Sequence, residues 1–498
     1  MITQPSHSIT SKVQENVENI PFSDDSLFEI LSFHDDFKFI VQRCALVSKQ
    51  WFRVIKNSCK HLSITRSSDW EMVGQLPFLE NIANLRVINN EEIGFNCEIL
   101  DSMKELKKLN IEYNSNIDPS GFKYICSLEQ LTDLYMTFCY FRLPIAKHLP
   151  SLKSLTYLLI TGNYIGVEGA KYIGEMKQLK QLHIANNNIG PEGAKYISGL
   201  EQLTFLNIRA NEITVDGAKF ISEMKQLTVL NIIGNNICDE GAKFISGMKQ
   251  LTNLDISVNN IGENGAKYVS EMMNITKLNI GFNSINDGVK CFGEMKQLTD
   301  LNVNSRCIGS NGVEYISSFN QLTHLSIAKN LISLYEAMHI SQMKNLIKLD
   351  ISDNDIGDNG VQSISEMNQL TELNVSSIDI TPIGIQYICK MDNLTYLISA
   401  HNNIGAKGAK QISEMKHLAQ LSIYHNAVGD EGAKFISEME QLTFLDIGYN
   451  EIGDEGVKFL CGMKQLTRLN TVDNNISDEG EKYIREMNLA DHVGIYDV

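Results

Sequence analysis

Leu227 to Gln250 reads LTVLNIIGNNICDEGAKFISGMKQ, and almost the same words recur 24 residues earlier and later along the 498-residue chain. Leu155, Leu179, Leu203, Leu227 and Leu251 each open such a segment, so the chain is a tandem repeat and its length does not count globular domains. Extended both ways, the pattern L-x-x-L-x-I-x-x-N-x-I-G-x-x-G-A-K-(Y/F)-I-S-x-M-x-Q starts at Ile82, Leu106, Leu131, then at these five positions. It continues at Ile275, Leu298, Leu322, Leu346, Leu370, Leu394, Leu418, Leu442 and Leu466, giving seventeen repeats.

Each part of the repeat has a physical reading. Leu230-Asn231-Ile232 alternates with period two, which suits a short strand with one buried face, and successive strands should stack in parallel. An asparagine such as Asn235 follows, able to satisfy backbone groups of neighbouring turns; Cys139, Arg306 and Ile378 replace it, so this ladder is expected to break or rearrange at the last two. Ala242, Ile245 and Met248 share one helical face, with Asp239 available as N-cap and Lys243 on the solvated outer side. The glycine before the alanine, as Gly241, implies close approach of the helix to a neighbouring turn; without G-x-x-x-x-G-K-(S/T) it is no phosphate loop.

Composition narrows the function. Forty-three basic against sixty acidic residues leave a formal charge of -17, which repels nucleic acid and anionic lipid, and no local basic patch offsets it. No stretch is long and apolar enough to span a bilayer, and the polar start lacks the pattern of a secretion signal. Ten cysteines fall at irregular intervals without CxxC pairs or nearby histidines, mostly where the repeat takes a small apolar residue. Buried reduced thiols and a cytoplasmic or nuclear location are the expectation, with no cofactor and no metal. No cysteine has the activating arrangement that a thioester-forming enzyme needs, so binding and not catalysis is expected.

From about Ile82 to Tyr483 these residues resemble the leucine-rich-repeat superfamily, and the 24-residue length with Gly-Ala opening the helix is similar to its GALA type. The usual Leu-Ala after Gly-Ala-x-x is here Ile-Ser, as at Ile221-Ser222. The resemblance implies an α/β solenoid, a horseshoe with parallel strands on the concave side and helices on the convex side. Terminal repeats need caps: Leu62 and Ile64 fit a strand before the first repeat, and Val493 and Ile495 one after the last.

Ahead of the repeats the period is absent. Ser23 can cap a helix with Asp24 and Asp25 in its first turn and Leu27, Ile30 and Leu31 on one stripe, and a second helix is expected over 39–56 with Cys44, Val47, Trp51 and Val54 on one side. Leu27-Phe28-Glu29-Ile30-Leu31-Ser32-Phe33 and Cys44-Ala45-Leu46-Val47-Ser48-Lys49-Gln50-Trp51-Phe52 resemble the F-box. It departs from that family where Phe22-Ser23 stands for Leu-Pro and His34 for an apolar residue. The resemblance implies a Skp1-type adaptor and a cullin as partners in a ubiquitin ligase, with Leu27, Ile30, Leu31, Val47 and Trp51 meeting the adaptor and the repeats selecting a substrate protein. The alternative is a helical cap on a ligase-independent binder or inhibitor. The organisation expected is a tail over 1–18, the F-box-like module over 19–60, a capping and linking segment over 61–81, and the solenoid over 82–498.

Within each strand the residues between the fixed apolar positions vary while the scaffold repeats. Exposed aromatics mark binding surfaces. One group is Tyr396, His401, Tyr424, His425, Phe444 and Tyr449, on three successive strands; the other is Tyr157, Phe205, Arg209 and Val229. These are the expected substrate contacts. His401 and His425 occupy equivalent positions, but no third metal ligand accompanies them.

Overall fold

The computed structural model describes residues 60–64, 79–87, 97–114, 119–139, 143–308, 310–487, 489 and 491–492. The F-box-like module, with Leu27, Ile30, Leu31, Val47 and Trp51, lies outside the described residues, as do Val493 and Ile495. The chain forms two compact units, Met1–Asn188 and Ile189–Val498.

In the first unit six described strands pair in parallel and in chain order: His61–Ile64, Asn84–Val87, Lys108–Asn110, Asp133–Tyr135, Tyr157–Leu159 and Gln181–His183. Their register puts Leu62, Leu85, Leu109, Leu134, Leu158 and Leu182 in one row, so the repeat's second leucine forms a continuous buried line. His61–Ile64 is the expected cap strand: Leu62 and Ile64 are buried and cover the apolar edge of the first repeat.

The second unit repeats this arrangement through thirteen described parallel strands, from Phe205–Asn207 to Asp491–His492. Within this unit Leu206 through Leu469 form one leucine row. The last strand places His492 opposite Leu469, one residue short of the 24-residue step that would bring Val493 there. Every one of the seventeen repeats carries its strand, and a helix or 3-10 segment follows the strand in each.

The helices bury the expected face: Ala242, Ile245 and Met248 are at most 1% exposed. Their outer side is polar, with Lys243 3.2 Å from Glu240 and its ammonium over the Tyr268 ring of the next helix, contacts worth about 0.2–1 kcal/mol each when solvated. In the 23-residue repeat opened by Ile275, the helical half tightens to a 3-10 segment, Asn286–Glu294. Gly241 serves closeness as expected, but mainly to its own repeat: a Cβ there would lie 2.6 Å from Ile237 Cβ and 3.3 Å from Ala218 Cβ of the preceding helix.

Asp239 does not cap its own helix. Cys238–Ile245 already contains it, and its Oδ1 accepts instead from the N–H of Gly262, the residue before the next helix, at 2.6 Å. The expected cap is thus shifted by one repeat, because the turn into each helix places the aspartate against the following helix's unpaired N–H groups.

The asparagines behave as a ladder. Asn235 Nδ2 donates to the carbonyls of Ile208 and Ile232 at 3.0 Å, and its Oδ1 accepts from the N–H of Asn211 at 2.9 Å. At Cys139 the thiol takes over as donor, reaching the Ile111 carbonyl at 3.0 Å. At Arg306 the expected rearrangement occurs: Ser305 and Arg306 both adopt left-handed φ (67° and 53°), and Cys307 moves into the ladder position with Sγ 3.3 Å from the Ile280 carbonyl. At Ile378 an apolar side chain fills the position, fully buried, and the side-chain donor is lost.

Candidate functional site

The strand side of the second unit opens as a trough of about 610 Å³, floored by the residues flanking the leucine row from Phe205 to Ile398. The residue just before each row leucine points into it. In the middle these are polar: Lys277 pairs with Asp300 at 3.3 Å and Lys348 with Glu372 at 2.6 Å, and His324 Nδ1 lies 3.7 Å from Asp300. Phe205 and Val229, from adjacent strands, line one end, and Tyr396 lines the other.

The C-terminal aromatic group is real in space but divides in two. Tyr396 and Phe444 stand on the strand face, edge to face with centroids 6.4 Å apart. His401, His425 and Tyr449 instead occupy the turn after the strand, each with left-handed φ (52°, 54° and 56°), and form a stack along its rim. His401 and His425 lie 4.9 Å apart and His425 and Tyr449 4.6 Å apart, with Tyr424 beside them at 5.3 Å from His401 and 5.9 Å from Tyr449. The left-handed backbone is general: the residue preceding the ladder position adopts it in repeat after repeat, as at Val258, Phe282 and Lys329, and it turns that side chain out to solvent.

Gly448 makes room for this group, since a Cβ there would meet the Tyr424 ring at 2.9 Å and the Val472 carbonyl at 3.0 Å. Burial raises the phenol pKa of Tyr396 above its ordinary value, helped by the negative charges of Glu372 and Asp446. Tyr424 is raised for the same reason, with Asp473 and Asp446 adding to it. Both hydroxyls therefore remain protonated donors at neutral pH. Among the described residues no third His, Cys, Asp or Glu joins His401 and His425 in a group that could hold a metal ion.

Of the other expected group, Phe205, Arg209 and Val229 belong to the second unit, with Arg209 exposed. Tyr157 belongs to the first unit, where its ring lies between Tyr135 (4.9 Å) and His183 (5.4 Å). Tyr135 and His183 follow the row leucine instead of preceding it, a position that sequence reasoning did not track. Burial pushes the Tyr157 hydroxyl up to about 12, with Tyr135 and the nearby Glu112 and Asp133 adding to it, and lowers the His183 imidazole. Tyr113 and Phe138 form a further exposed pair, stacked at 5.7 Å on the rim of that unit.

Five thiols are held in the protonated form by burial. Burial pushes Cys126, Cys307 and Cys461 up to about 11, and Cys139 and Cys389 to about 12. Among the described residues no helix is long and apolar enough to cross a membrane.

A model described as a leucine-rich repeat region matches residues 145–382, and a second leucine-rich-repeat model matches 414–437 and 441–461. No curated protein matches the chain. Among solved structures it is similar to an internalin of Listeria monocytogenes, 19% identical over 76% of this chain and 89% of that one, with a TM-score of 0.36. It is similar as well to a leucine-rich-repeat protein of Leptospira interrogans, 20% identical over 85% of this chain and 97% of that one, at a TM-score of 0.39. A third is the leucine-rich-repeat ectodomain of an Arabidopsis thaliana membrane receptor kinase, 16% identical over 84% and 64%, at 0.40.

Proposed function

We propose, from a chain whose body is built of leucine-rich repeats, that this protein-protein interaction module is the substrate-recognition subunit of a Skp1-cullin-F-box type ubiquitin ligase. In this reading the segment 19–60 docks the adaptor through Leu27, Ile30, Leu31, Val47 and Trp51. The strand side of the repeats holds the substrate protein, with Tyr396 and Phe444 as anchors and the rim stack of His401, Tyr424, His425 and Tyr449 beside them. Phe205 and Arg209 extend the contact in the second unit, and Tyr157 supplies one in the first.

The observation that carries the reading is the contrast on the strand face. Scaffold leucines repeat without change while the exposed residues between them vary and gather aromatics, the composition of protein-binding surfaces. The adaptor half is supported by the F-box resemblance of residues 27–33 and 44–52.

Co-purification with a Skp1-type adaptor tests it. The full chain is expected to form a complex at micromolar concentration, and Leu31→Ala with Trp51→Ala to abolish it. Absence of the complex, or its indifference to the double substitution, overturns the ligase reading and leaves a ligase-independent binder.

A further inference from the structure

The row that follows the leucines in the second unit carries a pattern that the paired charges of the preceding row conceal. Asp255, Asp350 and Asp446 occupy the same strand position in three repeats, each four strands from the next. At a strand spacing near 4.8 Å, four steps separate successive carboxylates by about 19 Å. Each is half-buried, and each is held by neutral donors on both oxygens.

For Asp255 these are Ser257 Oγ at 2.7 Å and Asn279 Nδ2 at 2.9 Å. For Asp350 they are Ser352 Oγ at 2.7 Å and Ser326 Oγ at 2.9 Å. For Asp446 they are Ser422 Oγ at 2.8 Å and Asn470 Nδ2 at 2.9 Å. Three further backbone N–H groups donate to them: Ser257 to Asp255 and Ser352 to Asp350 at 3.2 Å, and Gly448 to Asp446 at 3.3 Å.

None of the three has a lysine or arginine within ion-pair distance among the described residues. The preceding row differs: Asp300 and Glu372 are answered by Lys277 and Lys348. Once those pairs cancel, the floor presents three oriented, uncompensated carboxylates at regular intervals. Asp255 and Asp350 line the trough, and Asp446 lies near Tyr396 and Tyr424, whose ring faces attract cations. Such a surface is complementary to positive charge.

We infer that the strand face of the second unit recognises a basic segment of its partner protein, with arginine or lysine side chains seated on Asp255, Asp350 and Asp446 and one of them packed against Tyr396 or Tyr424. The inference rests on the reading of this face as the substrate surface and names the substrate's chemistry. A partner with cationic groups recurring every six residues when extended, or every thirteen or so when helical, matches the spacing of about 19 Å. Arginine suits it best, because its planar fork satisfies a carboxylate and an aromatic face together.

The test uses the full chain and a labelled peptide of three arginine pairs separated by four glycine or serine residues, followed by fluorescence anisotropy at two salt concentrations. Binding is expected, and an equivalent peptide with glutamate in place of arginine is not expected to bind. Asp255→Asn with Asp350→Asn and Asp446→Asn should weaken the arginine peptide at least thirtyfold, and Asp350→Asn alone several-fold. Glu223→Gln with Glu271→Gln and Glu366→Gln removes the same charge from exposed sites after the helices and should change affinity less than twofold.

Equal losses in the two triple variants, unchanged affinity in the aspartate triple, or no binding by the unsubstituted chain overturns the inference. The unfolding midpoint of each variant checks that the fold is retained; the single substitution keeps the test decisive should the triple unfold. The adaptor complex proposed for residues 19–60 is measured on the same samples. An adaptor complex without arginine-peptide binding removes the basic-partner inference alone, and loss of the adaptor complex removes the ligase reading alone.

Discussion

Asp358 belongs to one helix and secures the next: its Oδ1 accepts from the backbone N–H of Thr381 at 2.9 Å, 23 residues further on. Its Oδ2 accepts from Thr381 Oγ1 at 2.7 Å, and Oδ1 also accepts from the N–H of Gly384 at 2.9 Å. Asp239, Asp430 and Asp454 stand in the same relation to Gly262, Gly453 and Ser477. A carboxylate at a helix N-terminus satisfies orphan N–H groups and opposes the positive end of the helix dipole, so these aspartates tie neighbouring repeats together. Asp358→Ala should cost about 1–2 kcal/mol. Hydrogen exchange is the measurement, with faster exchange expected at 381–388 and little change several repeats away, since a solenoid couples mainly nearest neighbours.

The last such link gives a pH dependence. The hydrogen bonds from Ser477 Oγ and its N–H hold the Asp454 carboxyl below its ordinary value of 3.8. A carboxyl depressed in the folded state contributes stability that is present above its unfolded pKa and lost as pH falls through the folded one. The helix Asp478–Glu486 should therefore loosen as pH drops below about 4, and Asp454→Asn should remove most of that local dependence. Amide exchange across 478–486 at pH 5 and pH 3 reads both; no pH sensitivity in the unsubstituted chain would exclude the link.

Asn235 stands at the centre of the ladder, fully buried. Asn235→Ala strands the N–H of Asn211 and weakens that of Ile213, while the Ile208 and Ile232 carbonyls keep donors from Asn211 and Asn259. Two buried donors losing their acceptor should cost about 3 kcal/mol. Cys307→Ala, at the position where a thiol stands in, removes only a weak donor to the Ile280 carbonyl and should cost about 1 kcal/mol. Urea midpoints of the two variants should fall in that order.

Periodicity made most of this architecture readable, because a repeat announces its buried face each time it recurs. Leu230, Ile232, Ala242, Ile245 and Met248 were all expected inside, and all are. Spacing within one repeat says nothing about which of two adjacent helices an aspartate caps, so Asp239 was assigned to its own helix and the structure assigns it to the next. The candidate site was legible as a group of aromatics but not as a shape. The positive φ of His401, His425 and Tyr449 separates the rim stack from Tyr396 and Phe444, and a position that takes Val258 and Phe282 in other repeats does not signal a left-handed backbone by residue type. Tyr135 and His183 were findable by reading the residue after each row leucine, and the same position carries Asp255, Asp350 and Asp446.

Buried thiols should resist alkylation while the chain is folded. Cys139 is pushed up to about 12 and Cys307 to about 11 by burial, so at pH 8 almost none of either is thiolate. A thiol whose folded pKa is raised contributes stability that is complete below its unfolded value and lost as pH climbs through the folded one. Stability should thus fall from about pH 9 upward, towards pH 11–12. Mass spectrometry after brief iodoacetamide treatment at pH 8 should find Cys139 and Cys307 unmodified in the folded chain and fully modified in urea; rapid modification of the folded chain would contradict their burial.

Gly448→Ala separates the geometry of the aromatic rim from its chemistry. The new methyl would meet the Tyr424 ring at 2.9 Å and the Val472 carbonyl at 3.0 Å, so the ring must swing away from Tyr449 and His425 with no change in charge or aromatic content. The backbone cannot yield as the ring can, and the overpacking should cost about 1–2 kcal/mol in stability. If the rim stack contributes to partner binding, the displaced ring should weaken a bound protein about tenfold. Tyr424→Ala should weaken it to a similar degree, and the double variant should show little further loss because both act on one ring. Additive losses in that cycle would mean that Gly448 acts through the backbone and not through Tyr424, and unchanged affinity in both single variants would leave Tyr396 and Phe444 as the anchors without the rim.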